Sequence, residues 1–271
     1  MLQGGARSDQ LQNRAGRGKK ARTRGRLFDK GTGPRETGHV IRMVRSLYER
    51  FRLWWRARRV KRRAASLDRG EIEIPLLPFI VPRRLSVDVG ANKGALTSIL
   101  AELSERVVAY EANPNLAARL AQACGPTVDL RHKAVSNRNG TLTFFVPTSA
   151  GGEEQPNIGS LKANEAYATR EYKVEAVRLD DENLAGVGFI KVDVEGTELD
   201  VLEGARSIIT RDRPVLMVEI NDKNTPEATA IESLMKAHGY AIVDFSNKTI
   251  EVVDTVRQVA NRNVIFLPRR Q

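Results

Sequence analysis

The stretch Leu85-Ser86-Val87-Asp88-Val89-Gly90-Ala91-Asn92-Lys93-Gly94 constrains this chain more than any other. Its first half is a short apolar run, the pattern of a strand buried on both faces. Two glycines four residues apart follow, and then Leu96, Ile99, Leu100 and Leu103 recur at helical spacing. Strand, glycine turn and helix in that order make the first half of a βαβ unit. About twenty residues on, Tyr110-Glu111-Ala112-Asn113-Pro114 ends the next strand on an acidic residue. A unit of this kind is expected inside a mostly parallel sheet covered by helices on both faces.

The rest of the chain agrees with that expectation. From about residue 71, strands are predicted near 85–89, 106–111, 127–131, 189–194, 214–220, 240–245 and 262–267, and helices near 94–104, 114–124, 197–210 and 226–238. Asn113-Pro114 and Thr225-Pro226 each place a capping side chain before a proline at the first helical position. Asn139-Gly140, between Ala134-Val135 and Thr141–Val146, predicts a hairpin turn. Residues 148–164 read as a long loop, and loops of that length in a compact domain are usually functional.

Charge divides the chain. Of its 44 Lys+Arg and 33 Asp+Glu, residues 1–70 hold 21 basic and 5 acidic, leaving 23 basic and 28 acidic for 71–271. The basicity therefore belongs to an N-terminal arm, and the globular part is mildly acidic. Residues 1–37 show no apolar period and read as a disordered basic tail. Over 38–70 a basic amphipathic helix is expected: Val40, Val44, Leu47, Phe51 and Trp54 form one stripe, with Arg42, Arg45, Arg52 and Arg56 opposite. Such a helix packs its stripe on the catalytic domain or on a second copy in a homodimer, or lies on an anionic membrane surface. Its aromatics do not interleave with the charges, which argues against nucleic acid. Cys124 is the one cysteine, so no intrachain disulfide forms; it is expected buried on the helix after Pro114. No apolar run approaches a membrane span and no secretory signal is visible, so a cytoplasmic location is expected, with the helix allowing peripheral attachment to the inner membrane surface.

The glycine spacing, G-x-x-x-G with Asp88 two residues before the first glycine, is not the G-x-G-x-x-G of dinucleotide binding. It suits S-adenosylmethionine, which has a ribose and an adenine but no pyrophosphate. Asp88 is expected to accept from the ammonium of the cofactor and Asn92 to donate to its carboxylate, near the free N–H groups of the helix start. Glu111 is expected to hold the ribose hydroxyls. A second cluster lies in Ile190-Lys191-Val192-Asp193-Val194-Glu195-Gly196. Read as a strand, it places Lys191, Asp193 and Glu195 on one face, and three charges on an apolar central strand are costly without function or partners. Glu219 and Asn221 end a neighbouring strand, so Asp193, Glu219 and Asn221 are expected to converge. The chemistry open to them is a general base for a substrate hydroxyl, an oxygen-only cation site, or a salt-bridged network that orders the crevice; no metal is expected.

Together VDVGANKG (87–94), EANP (111–114), AVSNRNGTLTFF (134–145), NIGSL (157–161), VRLDD (177–181), IKVDVEGTELDVLEGA (190–205) and PVLMVEI (214–220) resemble the FkbM family of S-adenosylmethionine-dependent methyltransferases. The chain departs from the family's usual residues at Leu96 and Ala112. The resemblance implies a class I methyltransferase, Rossmann-like α/β fold with a mostly parallel seven-stranded sheet over 71–271. It also implies O-methylation of a saccharide, glycolipid or secondary-metabolite hydroxyl. Asp88, Gly90, Asn92, Gly94 and Glu111 carry over to the cofactor, and Asp193 and Glu195 to the active crevice; Ala91, Ala112 and Ala134 are expected beside the cofactor, and Lys191 and Glu219, by their strand positions, among the catalytic residues. Two rivals stand beside this reading. One is an RNA methyltransferase using the basic arm, which the acidic balance of 71–271 opposes; the other is a non-enzymatic scaffold on the same fold.

Overall fold

The computed structural model describes residues 76–269 apart from 164 and 247–248, together with Val44, Ser46 and Leu47. The expected tail at 1–37, and the helix at 38–70 but for those three residues, lie outside the described residues. Among the described residues no helix is long and apolar enough to cross a membrane.

The strands are β1 (Leu85–Val89), β2 (Arg106–Tyr110), β3 (Val128–Arg131), β4 (Ala134–Val135), β5 (Gly140–Pro147), β6 (Thr169–Val177), β7 (Val187–Val192), β8 (Val215–Glu219), β9 (Tyr240–Ser246), β10 (Thr249–Val253) and β11 (Asn263–Pro268). The helices are α1 (Leu77–Ile80), α2 (Ala95–Leu103), α3 (Pro114–Ala123), α4 (Glu198–Glu203), α5 (Arg206–Asp212) and α6 (Pro226–Ala237). Eight strands form the main sheet in the order β10-β9-β11-β8-β7-β1-β2-β3. The pairs from β8 to β3 are parallel, and β11, β9 and β10 add antiparallel pairings. Seven of the eight are the strands the sequence predicts, and β10 is an added edge.

Both faces of the central strands are apolar because both are covered. On one face Val87, Val89, Ile190 and Val192 pack under Val201 and Leu202 of α4, Ile208 of α5 and Ile231 of α6. On the other, Val107, Phe189 and Met217 meet Leu77 and Ile80 of α1 and Leu96 and Leu100 of α2. Val44 and Leu47 are buried in this second cluster. Two members of the predicted apolar stripe thus pack on the domain itself.

Three expectations change. The predicted helix at 197–210 divides into α4 and α5 at Gly204, where a Cβ would overlap the Ser136 carbonyl oxygen. The Asp180 carboxylate then accepts from the N–H groups of Ser207 and Ile208, both at 3.0 Å, and starts α5 afresh. The hairpin at Asn139-Gly140 does not form: β4, β6 and β5 make a separate sheet in that order, with β6 between the two expected partners. Asn139 is drawn away, accepting from the Arg178 N–H and donating to Asp181, both at 2.8 Å. Cys124 follows α3 as its capping residue and is half-buried, not buried within the helix.

The parallel strands end together. Strand order reverses between β1 and β7, and there the carboxyl ends of β1, β2, β7 and β8 open a crevice, the place where open α/β sheets bind ligands.

Candidate active site

β1 leaves the sheet through a turn held at both ends. The N–H groups of Gly90 and Ala91 both donate to the Tyr110 carbonyl at 3.0 Å, fixing the turn on β2. On the other side the chain leaving β7 passes so close that a Cβ at Gly90 would overlap the Asp193 carbonyl oxygen, and φ of Gly90 is +78°. Only glycine fits both demands. Gly94, with φ +79°, begins α2, whose N-terminus carries no side-chain cap. Its first N–H groups thus face the crevice end without a side-chain acceptor.

Glu111 follows β2 and is clamped. The Asn92 N–H donates to its Oε2 at 2.6 Å and the Asn113 N–H to its Oε1 at 2.8 Å. Burial raises its pKa above the ordinary glutamate range, opposed by those two N–H groups and by Lys191. Asn113 also caps α3, its side chain accepting from Asn115 and Leu116, so the capping signal read from the sequence serves the site as well.

These residues line a cleft open to solvent. Gly90, Asn92, Glu111, Ala112 and Ala134 of the predicted cofactor set are on its wall. Asp88, Ala91 and Gly94 are not. Ala91 packs on Leu120 of α3. Asp88 is fully buried beneath α2, accepting from the Thr97 hydroxyl at 2.6 Å, with Lys191 Nζ 3.7 Å from its other oxygen. Its place is under the cleft floor, not against a ligand. Asp88 Oδ1 makes no hydrogen bond among the described residues; Asn92 Oδ1, on the cleft wall, is likewise buried with no hydrogen-bond partner among them, while its Nδ2 donates to the Asn157 carbonyl at 3.3 Å. An orphaned acceptor suits the ammonium of S-adenosylmethionine rather than its carboxylate. With Glu111 for ribose hydroxyls and the uncapped start of α2 for the carboxylate, the residues fit that cofactor.

The charged cluster of β7 is arranged differently from a simple alternation. β7 ends at Val192, and the chain turns with Glu195 at φ +57°. Glu198 holds this turn, its carboxylate accepting from the N–H groups of Gly196 at 3.0 Å and Val194 at 3.3 Å. Lys191 is buried; its ammonium donates to the Gly90 carbonyl at 2.8 Å and lies 3.1 Å from Asp193. Asp193, Glu195 and Glu219 converge, each offering an oxygen within 4.8 Å of the others. Burial pushes Glu219 up to about 8, aided by repulsion from Asp193 and a hydrogen bond to it, and opposed by Lys191. Glu195 is also raised, by burial and then by Asp193 and Glu198. Asn221 Nδ2 donates to Glu219 at 3.3 Å.

The segment after β5 supplies residues that reading the sequence for chemistry passed over. Asn157, Gly159 and Leu161 face the cleft, while Ile158, Ser160 and Lys162 line a second cavity of about 370 Å³. The segment walls both spaces, its side chains alternating between them. The Ser160 hydroxyl donates to the Glu195 carbonyl at 2.7 Å, and Glu195 lines both spaces. NIGSL and the long loop mark this wall in the sequence, but nothing in either assigns it a face.

Comparison with known proteins gives a consistent placement. The model of the methyltransferase FkbM domain matches residues 88–242. The 2-O-methyltransferase NoeI of Sinorhizobium fredii (strain NBRC 101917 / NGR234) is 27% identical over 164 residues, covering 54% of this chain and 67% of that protein. The crystal structure of an FkbM methyltransferase from Methylobacillus flagellatus KT matches 84% of this chain at 14% identity with a TM-score of 0.45; this chain spans 58% of its length. An rRNA methylase from Streptococcus thermophilus matches 76% of this chain and 99% of its own at 13% identity, TM-score 0.43. The family match covers more than half the chain and contains the glycine turn, Glu111 and the Asp193–Glu195–Glu219 cluster: the chain belongs to the FkbM family of methyltransferases, whose methyl donor is S-adenosylmethionine.

Proposed function

We propose that residues 71–271 form an O-methyltransferase acting on a hydroxyl of a saccharide, glycolipid or secondary metabolite. The observation that carries this reading is Glu195: of the four predicted catalytic residues it alone lines both the cofactor cleft and the second cavity. The name of the 2-O-methyltransferase relative adds support for oxygen as the methylated atom.

S-adenosylmethionine, when bound, supplies an electrophilic methyl carbon whose bond to sulfur breaks, its electron pair staying on sulfur to leave S-adenosylhomocysteine. Asn92, Glu111 and the start of α2 hold it, and Ala112 and Ala134 wall the cleft. Glu195 takes the proton of the attacking hydroxyl, and its raised pKa makes it a stronger base than an exposed carboxylate. Glu219, protonated at neutral pH, hydrogen-bonds to Asp193 beside it, and Lys191 fixes Asp193 from below. Lys191 and Glu219 line neither space, so both are positioning residues; Asp88 in turn positions Lys191. Alignment of two reactants is the larger part of the rate, and the wall at 157–162 and the Glu195 turn provide it.

The RNA reading has less support, since the crevice is ringed by carboxylates that repel phosphate. For the helix at 38–66, burial of Val44 and Leu47 supports packing on the domain over a membrane surface or a homodimer.

The test is methyl transfer from isotopically labelled S-adenosylmethionine to a panel of methyl glycosides, alongside calorimetric titration with S-adenosylhomocysteine. Glu195→Gln is expected to lower kcat by about 10²–10⁴ while binding S-adenosylhomocysteine as wild type does. Unchanged kcat in that variant would overturn the assignment of the base.

A further inference from the structure

The second cavity has a lining unlike the rest of the surface. Among the described residues three large apolar side chains are exposed, and two of them, Tyr167 at 51% and Ile158 at 41%, line this one cavity. Phe145 and Pro147 of β5 continue the apolar surface. Large exposed apolar groups gathered in one concavity mark a binding site rather than chance exposure. Apart from Ala163 the remainder of the lining is polar: Ser160, Thr169, Lys162 and Glu165 stand around the same space, and Glu195 lies where it meets the cofactor cleft.

Charge narrows the occupant. Lys162, the one basic group in the lining, is already paired with Glu227 at 2.9 Å. Glu165 and Glu195 leave the cavity net acidic. An anionic acceptor such as a phosphorylated sugar or a nucleic acid would be repelled. A neutral molecule with one apolar face and a rim of hydroxyls is complementary to it: carbon-bound hydrogens against an aromatic ring, hydroxyls toward Ser160, Thr169 and Glu165. A pyranose ring has that form.

We propose that this cavity, built on the β4–β6–β5 sheet and the wall at 157–162, is the acceptor site, and that Tyr167 and Ile158 seat the apolar face of a neutral pyranose. The proposal rests on the O-methyltransferase reading and adds its specificity-determining residues. Seating the ring there presents its hydroxyl edge at Glu195, the residue common to the cofactor cleft and this cavity, where the hydroxyl can reach the methyl carbon directly. The cofactor cleft and the acceptor seat share Glu195 but no part of the Tyr167 platform.

The test uses the full chain saturated with S-adenosylhomocysteine and the methyl glycosides of glucose, galactose, mannose and fucose, observed by saturation-transfer NMR. At least one is expected to receive saturation at its ring C–H protons. Tyr167→Ala is expected to weaken that binding about tenfold and Tyr167→Phe to keep it within about threefold, because the ring and not the hydroxyl forms the seat. In the transfer assay Tyr167→Ala and Ile158→Ala raise the acceptor KM by a similar factor, while the affinity for S-adenosylhomocysteine stays within about twofold. Glycosides that are methylated with the same KM by wild type and both variants would overturn the seat and leave the methyltransferase reading standing. Tight binding of S-adenosylhomocysteine with no saturation transfer to any of the four glycosides, or preference for their phosphorylated forms, would also overturn it. Failure to bind S-adenosylhomocysteine at all would strike the underlying reading instead.

Discussion

Replacing Glu219 by glutamine removes a carboxyl group that the fold holds protonated at neutral pH, and the consequence is a change in how stability depends on pH. Burial and the neighbouring Asp193 and Glu195 raise Glu219 from 4.5 to about 8. Between those values the native state holds a proton the unfolded chain has released, so wild-type stability falls as pH rises from about 4.5 to about 8 and levels off above. At 1.36 kcal/mol per pH unit the full displacement corresponds to roughly 5 kcal/mol. Glu219 keeps partial exposure to solvent, and screening brings the expected loss down to about 1–2 kcal/mol. Glutamine cannot ionise, yet its amide still donates toward Asp193, so Glu219→Gln escapes this loss. In a domain of this size 1–2 kcal/mol corresponds to roughly 3–8 °C in Tm. Thermal unfolding followed by calorimetry at pH 5, 6, 7, 8 and 9 should show the variant gaining on wild type across pH 5–8 and then running parallel to it. A Tm difference independent of pH would refute the description of Glu219 as held protonated by the fold.

Further outcomes follow from the same geometry. Glu111→Ala removes the carboxylate held by the Asn92 and Asn113 N–H groups and should weaken S-adenosylhomocysteine by roughly 30-fold, about 2 kcal/mol, in calorimetric titration. Lys191→Met leaves Asp88 fully buried without a counter-charge and should cost about 3–5 kcal/mol in denaturant unfolding, part of it restored by adding Asp88→Asn. Gly90→Ala drives a methyl into the Asp193 carbonyl and forces a positive φ on alanine; a loss of about 3 kcal/mol or more is expected, with a matching fall in kcat as Asp193 moves. Asn92→Ala removes the side chain that ties to the Asn157 carbonyl and should speed release of S-adenosylhomocysteine several-fold in stopped-flow displacement.

Much of this architecture is legible in the chain because the central strands are buried on both faces and therefore read as short, mostly apolar runs. Leu85–Val89, Arg106–Tyr110 and Val187–Val192 announce themselves that way, and Asn113-Pro114 and Thr225-Pro226 cap helices where expected. β6 went unread for the opposite reason: Tyr172, Val174 and Ala176 face the small core while Glu171, Lys173 and Glu175 do not, so only a period-two pattern betrays it. Once β6 is missing, Asn139-Gly140 looks like a hairpin, since local turn chemistry says nothing about a strand arriving from thirty residues later. In the site, residue type and spacing located Glu111, Asp193, Glu195 and Glu219. They did not reveal that Asp88 lies beneath the cleft, because the two faces of a doubly buried strand look alike in sequence. Nor did they reveal the second cavity, whose lining comes from β5, β6 and a loop with no shared motif.

The alternation of the segment at 157–162 between the cofactor cleft and the proposed acceptor cavity has a consequence for how such a sequence can change over time. Asn157, Gly159 and Leu161 look one way, and Ile158, Ser160 and Lys162 the other. Single substitutions on this ribbon alter one neighbour at a time, so preference for a new acceptor can be acquired without disturbing the methyl donor. A change in length is a different event. Inserting or deleting one residue turns every side chain beyond it through the partition, delivering donor-facing groups to the acceptor and the reverse. Diversification of this segment is thereby confined to replacement, and its six positions form an indivisible reading frame for two ligands at once.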